Sequence, residues 1–134
     1  MIDERTGLEI IDEAECRELL ASKDIGRIAV SIANKPDVYP VNYKTIDNRI
    51  VIHTIPGTKL AAAVLGTAVA FEVDNLDEVT KTGWSVVIHG HASEVEGTEA
   101  IMEAEALGIH PWSDNPKYRY LQIEIDEITG RRLA

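Results

Sequence analysis

The chain is dominated by short segments in which apolar and polar residues alternate, and turns of a few residues separate many of them. Alternation with a period of two is typical of β-strands that bury one face. The segments predicted as strands are Ile25–Ala33, Val38–Thr45, Arg49–Ile55, Thr67–Asp74, Trp84–Glu96 and Tyr118–Ile125. The turns at 34–37 and 47–48 are too brief for the crossovers that parallel strands require. The sequence therefore predicts an antiparallel sheet.

Three short helices are predicted beside these strands: Asp12–Ala21, with Asp12 as its N-cap, Thr58–Leu65 and Gly97–Leu107. Helices do not alternate with strands, which argues against a doubly wound α/β fold. Six strands in an open sheet would leave two exposed edges, and closure into a barrel removes them. We therefore predict a mainly β (α+β) fold, a six-stranded antiparallel β-barrel with short peripheral helices, in one domain over residues 1–134.

The charge balance excludes several function classes. The 134 residues include 13 Lys+Arg against 23 Asp+Glu, a formal net charge of −10. Binding to nucleic acid or to an anionic membrane needs a positive surface, so neither is expected. No apolar run approaches the length of a membrane span, and the start lacks a secretory pattern, so a soluble, cytoplasmic protein is expected. The single Cys16 excludes an internal disulfide and a cysteine-cluster zinc site.

The segment His53–Leu60 gives the clearest indication of a ligand. Pro56-Gly57 ends a strand, and the helix predicted after it begins with Thr58 and Lys59. The helix dipole disfavours a cation there by roughly a few tenths of a kcal/mol, so Lys59 fits better if an anion binds too. Backbone N–H groups, the Thr58 hydroxyl and the Lys59 ammonium would together hold a phosphate. An N-capping Thr58 beside an exposed Lys59 remains the alternative, because a full glycine-rich phosphate loop is missing.

No catalytic residue is assigned from the sequence. His53, His89 and His91 lie on predicted strands without the spacing of a known metal motif, so ordinary polar strand positions and no metal are expected. Cys16 lies among acids on a predicted helix and is interpreted as a packing residue. Ser85 lacks the surroundings of a nucleophile elbow.

Trp84 and Trp112 occupy unusual places for core residues. Trp84 opens a strand directly after a glycine, and Trp112 lies in a loop that contains two prolines. Aromatic side chains in such places line a ligand site or a subunit interface, although core packing remains the alternative.

Several short pieces of the chain match one family in their order and spacing. The pieces are Gly26-Arg27-Ile28, Pro40-Val41-Asn42-Tyr43, His53–Leu60, Val69–Asp74, Gly83-Trp84-Ser85-Val86 with Gly90, and Ile128-Thr129-Gly130-Arg131. Together they resemble the pyridoxamine 5′-phosphate oxidase-like family of flavin-binding split β-barrels, and in particular its small nitroimidazole-reductase-like members. The resemblance extends from about Ile11 to Leu133 and implies a split barrel of the FMN-binding type.

This resemblance implies a homodimer that binds FMN in two grooves at the subunit interface. The strand Tyr39–Lys44 would run along the isoalloxazine ring, Thr54 would lie near the phosphate, and Thr58 and Lys59 would match the phosphate-binding stretch. Trp84 and Ser85 would close the site, with Trp112 covering it from the partner subunit. The implied cofactor-binding residues are Pro40, Val41, Asn42, Tyr43, Thr54, Thr58, Lys59, Leu60, Trp84, Ser85 and Trp112.

The chain also departs from the oxidases of this family. At the phosphate, Thr58-Lys59 stands where they pair Arg with Lys, which removes one formal charge. Ser85 stands where they have a Gln that reaches the ring, and the C-terminal Arg-x-His substrate element is missing. Oxidation of pyridoxamine phosphate is therefore not expected.

The function that the resemblance implies is an FMN-dependent oxidoreductase, in which hydride passes between flavin N5 and a small conjugated or aromatic substrate. The alternatives are a reductase that uses the 5-deazaflavin coenzyme (factor 420) on the same fold, and a non-catalytic dimer that binds flavin or haem. His53 and Tyr43 are the candidates for proton transfer, and neither is assigned that role.

Overall fold

Seven strands and two helices make up the regular structure of the residues that the computed structural model describes, which are 1–54, 67–109 and 119–133. The elements are β1 (Glu9–Ile11), α1 (Glu13–Ala21), β2 (Ile25–Ile32), β3 (Lys35–Ile46), β4 (Arg49–Thr54), β5 (Ala68–Asp77), β6 (Thr82–Glu94), α2 (Thr98–Ala106) and β7 (Arg119–Leu133). The helix predicted over Thr58–Leu65 lies outside the described residues, as do Ile55 and Tyr118 at the ends of two predicted strands.

The strands close into a ring, as predicted. Neighbours in the sheet follow the order β1-β7-β4-β3-β2-β5-β6, and β6 also pairs with β7. Every described strand pair is antiparallel. Six strands therefore form the barrel, and β1 is added outside the ring by pairing with the last part of β7.

The barrel has the six strands predicted, but the sheet has a seventh, β1, which was not predicted, and the predicted end of β7 at Ile125 is wrong. β7 continues to Leu133, and β1 pairs with residues 130–132 of it. The pairing of β7 with β6 shifts after His89, because His89 lies opposite Glu127 and Gly90 lies opposite Ile125. Asp126 is thus an extra residue, a β-bulge that interrupts the alternation on which the prediction rested.

The turn between β2 and β3 is tighter than predicted. The sequence placed it at 34–37, whereas the turn residues are Ala33 and Asn34, with φ of 49° and 64°. Two central residues with positive φ are typical of the two-residue hairpin turn that matches strand twist. β3 therefore begins at Lys35 and includes Pro36 and Pro40. Its described pairing with β4 begins only at Tyr43, so both prolines lie where β3 pairs with β2 alone.

The barrel core is built from inward-facing aliphatic residues around two aromatic rings. Tyr43 and Phe71 meet edge to face, with ring centroids 5.0 Å apart and planes at 73°. Gly26 leaves room for this pair, since a Cβ there would lie 2.4 Å from Cζ of Phe71. The fully buried members of this core with the largest side chains include Ile28, Ile50, Ile52, Ile88, Leu121 and Ile123. Burial of each such side chain contributes about 1.5–3 kcal/mol.

Helix α1 closes one end of this core. Asp12 caps it by accepting a hydrogen bond from the Glu15 backbone N–H at 2.9 Å, as predicted. Its buried residues Cys16 and Leu20 join the barrel core, which confirms Cys16 as a packing residue. Gly130 of β7 lies against the helix, because a Cβ at this position would be 2.6 Å from Cys16 Sγ.

Helix α2 belongs to a second, smaller cluster outside the barrel. Ala104 of α2 packs there with Val51 of β4 and Tyr120 of β7, together with Val95 and Ile109. In the described ranges, neither helix has the combination of length and apolar character that crossing a membrane requires.

Candidate functional site

Thr54 is a deeply buried polar residue of the predicted site. It ends the described part of β4, is only 6% exposed, and shares its face of the strand with the core residues Ile50 and Ile52. Its hydroxyl has no hydrogen-bond partner among the described residues. A buried hydroxyl without a partner costs about 1–3 kcal/mol, so this site is suited to a ligand atom that accepts a hydrogen bond.

The predicted ring-binding stretch of β3 divides between two faces. Val41 and Tyr43 are buried in the barrel core, whereas Pro40 is exposed and Asn42 is half-buried on the opposite face. The side chains of Val41 and Tyr43 therefore cannot reach a ligand outside the barrel. Only their backbone groups can do so. Of the two residues, only Val41 lies where the described pairing of β3 is with β2 alone, because pairing with β4 begins at Tyr43.

Tyr43 is held as a structural group. Its hydroxyl donates a hydrogen bond to the backbone carbonyl of Leu20 at the end of α1. Burial raises the pKa of Tyr43 well above its usual range, and the charge of Asp24 raises it further. A phenol held neutral and already donating inside the core is poorly suited to proton transfer.

His53 lies on the opposite face of β4 from Thr54. It is half-buried and meets Tyr120 edge to face, with ring centroids 4.6 Å apart. Burial lowers the pKa of His53, which favours its neutral imidazole at physiological pH. His89 and His91 lie on β6, which β7 separates from β4 in the sheet. Within the described ranges, no three His, Cys, Asp or Glu residues are arranged to hold a metal ion.

Trp84 and Ser85 are neighbours on β6, so their side chains point to opposite faces. Trp84 packs against the barrel core, which supports the core interpretation for this residue. Ser85 is half-buried on the outer face, opposite Asp74 of β5 and Arg131 of β7. The structure therefore does not bring the two side chains to one surface, as joint closure of a site would require.

Ser85 adjoins a charged cluster that the sequence analysis missed. Arg27 of β2 approaches Glu72 and Asp74 of β5, with Nη1 3.5 Å from a carboxylate oxygen of each. Burial raises the pKa of Glu72 to about 7, a hydrogen bond and charge repulsion from Asp74 add to the shift, and Arg27 opposes it. Acids two residues apart on a strand share one face, which is the signal that could have revealed this pair.

Two open grooves lie on the same outer face. One, of about 260 Å³, is bordered by Arg27, Val38 and Glu72, and the other, of about 430 Å³, is bordered by His89, His91 and Asp126. They share Ala29 and Ala70, which lie opposite each other on β2 and β5. The outer surface of these strands is thus a shallow apolar floor between two polar ends.

The described part of the predicted site is thus distributed over the barrel. Thr54 and Val41 face the core, while Ser85 faces outward beside Asp74. The other predicted site residues, namely Thr58, Lys59, Leu60 and Trp112, lie outside the described residues.

Comparisons with known proteins agree with the resemblance found in the sequence. The family model for pyridoxamine 5′-phosphate oxidase matches residues 12–132. An uncharacterized protein of Mycobacterium tuberculosis is 37% identical over 129 residues, which cover 92% of this chain and 84% of that protein.

Two solved structures match nearly the whole chain. The FAD binding protein from Mycobacterium smegmatis has a TM-score of 0.85 and 32% identity, with 93% of this chain and 98% of that chain covered. A candidate pyridoxamine 5′-phosphate oxidase from Corynebacterium glutamicum has a TM-score of 0.84 and 35% identity, with 95% and 98% covered. These similarities confirm the type of barrel that the sequence pieces predicted.

Proposed function

Because the chain belongs to the pyridoxamine 5′-phosphate oxidase family, we propose that it is a flavin-dependent oxidoreductase that acts on a small conjugated or aromatic substrate. The Mycobacterium smegmatis relative, which binds FAD by its name, supports a flavin because it resembles this chain over almost its full length. A bound flavin supplies two-electron redox chemistry at N5, and the protein supplies binding and orientation.

The buried hydroxyl of Thr54 is the observation that carries this proposal. This hydroxyl has no acceptor among the described residues. Thr54 lies on the core side of β4, but it is the last described residue of that strand and directly precedes the segment that contains Thr58 and Lys59, so only a ligand group at this end of the strand could reach it. A flavin phosphate offers oxygen atoms that accept hydrogen bonds, and a hydrogen bond to a charged group contributes about 1.5–3 kcal/mol. In a chain of net charge −10, Lys59 would supply the positive charge that such a phosphate needs.

The other roles follow from the faces that these residues occupy. Backbone groups of Val41, Asn42 and Tyr43 would hold the edge of the ring, because the side chains of Val41 and Tyr43 are inside the barrel. Ser85 faces outward and would border the ring, whereas Trp84 would support it through the core. Trp112 would cover the site from the partner subunit of a homodimer.

FMN is the flavin that the family resemblance implies, and FAD is the alternative that the Mycobacterium smegmatis relative introduces. Both carry the phosphate for which Thr54, Thr58 and Lys59 are proposed, so the phosphate site alone does not separate them. Ser85 stands where the family oxidases have a Gln, which argues against pyridoxamine phosphate as the substrate.

The test is an absorption spectrum of the freshly purified protein, followed by titration with FMN and with FAD while flavin fluorescence is recorded. We expect saturable binding of one flavin, with the other at least about tenfold weaker. If neither flavin binds, the proposal is wrong, and the deazaflavin coenzyme and haem are titrated next. Turnover is then assayed with NAD(P)H and a panel of conjugated acceptors, and binding without turnover would favour the non-catalytic alternative.

Thr54→Val tests the phosphate site directly, because valine keeps the shape of threonine and replaces the hydroxyl with a methyl group. We expect flavin affinity to fall by about 10-fold or more. Thr45→Val is the matched control, since Thr45 is a half-buried strand threonine beyond the proposed ring-binding stretch. Unchanged affinity in Thr54→Val would contradict the role of Thr54 even if a flavin binds.

A further inference from the structure

Helix α1 contacts both parts of the barrel to which ring-binding roles are assigned in the proposed flavin site. One part is the stretch of β3 that ends at Tyr43, and the other is the strand pair β6–β7 at Ser85. The helix packs against β3, β6 and β7 across one end of the barrel. The packing of α1 and the geometry of the proposed site are therefore connected through the fold.

The connection between α1 and β2 is bound to β3 at three points. The Tyr43 hydroxyl donates a hydrogen bond to the carbonyl oxygen of Leu20, and the Tyr43 backbone N–H donates to the carbonyl oxygen of Asp24 at 3.0 Å. In addition, Nζ of Lys44 lies 2.7 Å from Oδ1 of Asp24. Two consecutive residues of β3 thus hold both ends of this connection, and one of them is the last residue of the stretch proposed to hold the ring.

The ring of Tyr43 is fixed inside the barrel. It is 1% exposed and meets Phe71 edge to face, and Phe71 in turn fills the space beside Gly26. A close-packed interior leaves a side chain little room to adjust. A shift of the Leu20 carbonyl must therefore either break the hydrogen bond with Tyr43 or move the backbone of β3.

The first half of α1 is attached to β7. Glu15 forms an ion pair with Arg132, and Cys16 packs against Gly130. The residue after Gly130 is Arg131, which lies opposite Ser85 on β6. The helix is thus anchored next to the strand position that faces Ser85, while its last turn is anchored to β3.

The helix depends on these contacts for its own stability. It has nine residues, and isolated helices shorter than about 12–15 residues are marginal in water. Two of its side chains, Cys16 and Leu20, are buried in the barrel core. A short element held mainly by its packing is one that opens locally while the rest of the fold stays intact.

We propose that α1 is a brace that holds β3 in the position that the flavin requires, through the hydrogen bond between Tyr43 and Leu20. Tyr43 is a positioning residue, because it acts through the backbone of β3. Packing of α1 and binding of the flavin then stabilise each other, since coupling between two sites is reciprocal. This inference rests on the proposed flavin function and adds to it an element whose packing controls the affinity.

Cys16 reports the opening of α1, because it is the single cysteine of the chain and is buried in this helix. The experiment compares the rates at which iodoacetamide labels Cys16 in the full chain without flavin and with increasing concentrations of the flavin that binds in the titration. We expect saturating flavin to slow labelling about tenfold, the coupling that one buried hydrogen bond can supply.

The dependence on flavin concentration separates local opening from global unfolding. If the barrel stays folded when α1 opens, the open form still binds flavin more weakly, so the slowing should level off at its tenfold limit. If labelling required global unfolding, the rate would keep falling in proportion to the flavin concentration, because the unfolded chain does not bind flavin.

Two variants test the role of Tyr43. Tyr43→Phe removes the link to Leu20, so saturating flavin should slow labelling by only about twofold or less, although the flavin still binds. Asp12→Ala is the matched control, because it removes the N-cap at the end of α1 away from Tyr43. Labelling without flavin should become about fivefold faster, while the tenfold slowing by flavin remains. Each variant is compared with and without flavin, so a change in the reactivity of the thiol cancels.

The outcomes separate this inference from the proposed function. If no flavin binds in the titration, the proposed function fails and the brace fails with it. If a flavin binds but leaves the labelling of Cys16 unchanged, or slows it without limit, only the brace is refuted. A full tenfold slowing in Tyr43→Phe also refutes it. The comparison in the unmodified protein needs no variant, so the proposal is tested even if Tyr43→Phe does not fold.

Discussion

The hydroxyl of Tyr43 donates a hydrogen bond to the backbone carbonyl of Leu20, which ties the inside of β3 to the last turn of α1. Both residues are buried, so neither group can exchange its partner for bulk water. The carbonyl belongs to the last turn of a helix, where backbone acceptors lack partners within the helix. This contact attaches the last turn of the helix to β3 of the barrel.

Tyr43→Phe removes this hydrogen bond and leaves the Leu20 carbonyl buried without it. We expect the free energy of unfolding to fall by about 1–3 kcal/mol, measured by urea denaturation. Tyr39→Phe is the matched control, because Tyr39 is only partly buried against the same core. Equal stability of Tyr43→Phe and the unmodified protein would show that the contact contributes nothing.

Gly90→Ala should destabilise the protein more than Gly26→Ala. The new Cβ at Gly90 meets a backbone carbonyl oxygen at 2.1 Å, whereas at Gly26 it meets the ring of Phe71 at 2.4 Å, and a side chain can shift more easily than a paired strand. We expect about 3 kcal/mol or more at Gly90 and less at Gly26. Gly7→Ala is the reference, since only its φ of 75° opposes alanine. The reverse ranking in denaturation experiments would contradict the close approach at the bulge.

Glu72 should make the protein less stable as the pH rises. Its folded pKa is raised to about 7 from 4.5, mainly by burial and then by Asp74. The folded state therefore binds more protons than the unfolded state between about pH 4.5 and pH 7, so the free energy of unfolding falls as the pH rises through this window. The stability that protonated Glu72 contributes is present below the window and lost above it. Because Glu72 is 34% exposed, solvent screening reduces the effect to on the order of 1 kcal/mol.

The measurement for Glu72 is the free energy of unfolding at pH 5 and pH 8 for the unmodified protein and for Glu72→Gln. Relative to the unmodified protein, Glu72→Gln should have a higher free energy of unfolding at pH 8 than at pH 5. Glu105→Gln, an exposed change on α2, should show no such dependence. A pH-independent difference for Glu72→Gln would contradict the prediction.

Cys16 should react slowly with iodoacetamide in the folded protein. Burial raises the pKa of the thiol, and the charges of Asp12 and Glu15 raise it further, so both access and the thiolate fraction are reduced. We expect labelling about a hundredfold or more slower than in urea, because it requires local opening of α1. The extent of labelling is measured over time by mass spectrometry. Equal rates for the folded protein and for the protein in urea would argue against the packing of α1 on the barrel.

Local patterns in the sequence predicted most of the fold. β2 and β5 alternate between buried and exposed positions, and β4 is a short apolar run that follows a tight turn. The start of β3 was displaced only by the two-residue turn at Ala33 and Asn34. The second half of β7 was not predicted, since the extra residue Asp126 breaks the alternation there. β1 has only three residues and is a strand only because it pairs with β7.

The candidate site was harder to predict than the fold. The resemblance identified Thr54, and the structure adds that its hydroxyl is buried without a described partner. The contact between His91 and Asp126 depends on the register of two strands and on a bulge, and neither can be read from spacing along the chain. The same is true of Arg27, which reaches Glu72 only across the β2–β5 pair.

The position of β7 in the ring has a consequence for synthesis of the protein. Both strands that β7 joins, β4 and β6, are made before it, so the barrel stays open until the first part of β7, which pairs with both, has left the ribosome. Until then their unpaired edges and the apolar interior are exposed to other chains. Closure also brings together residues far apart in the sequence, which makes this folding step slow for a protein of this size. A nascent chain that stalls before β7 is therefore the form most in need of a chaperone.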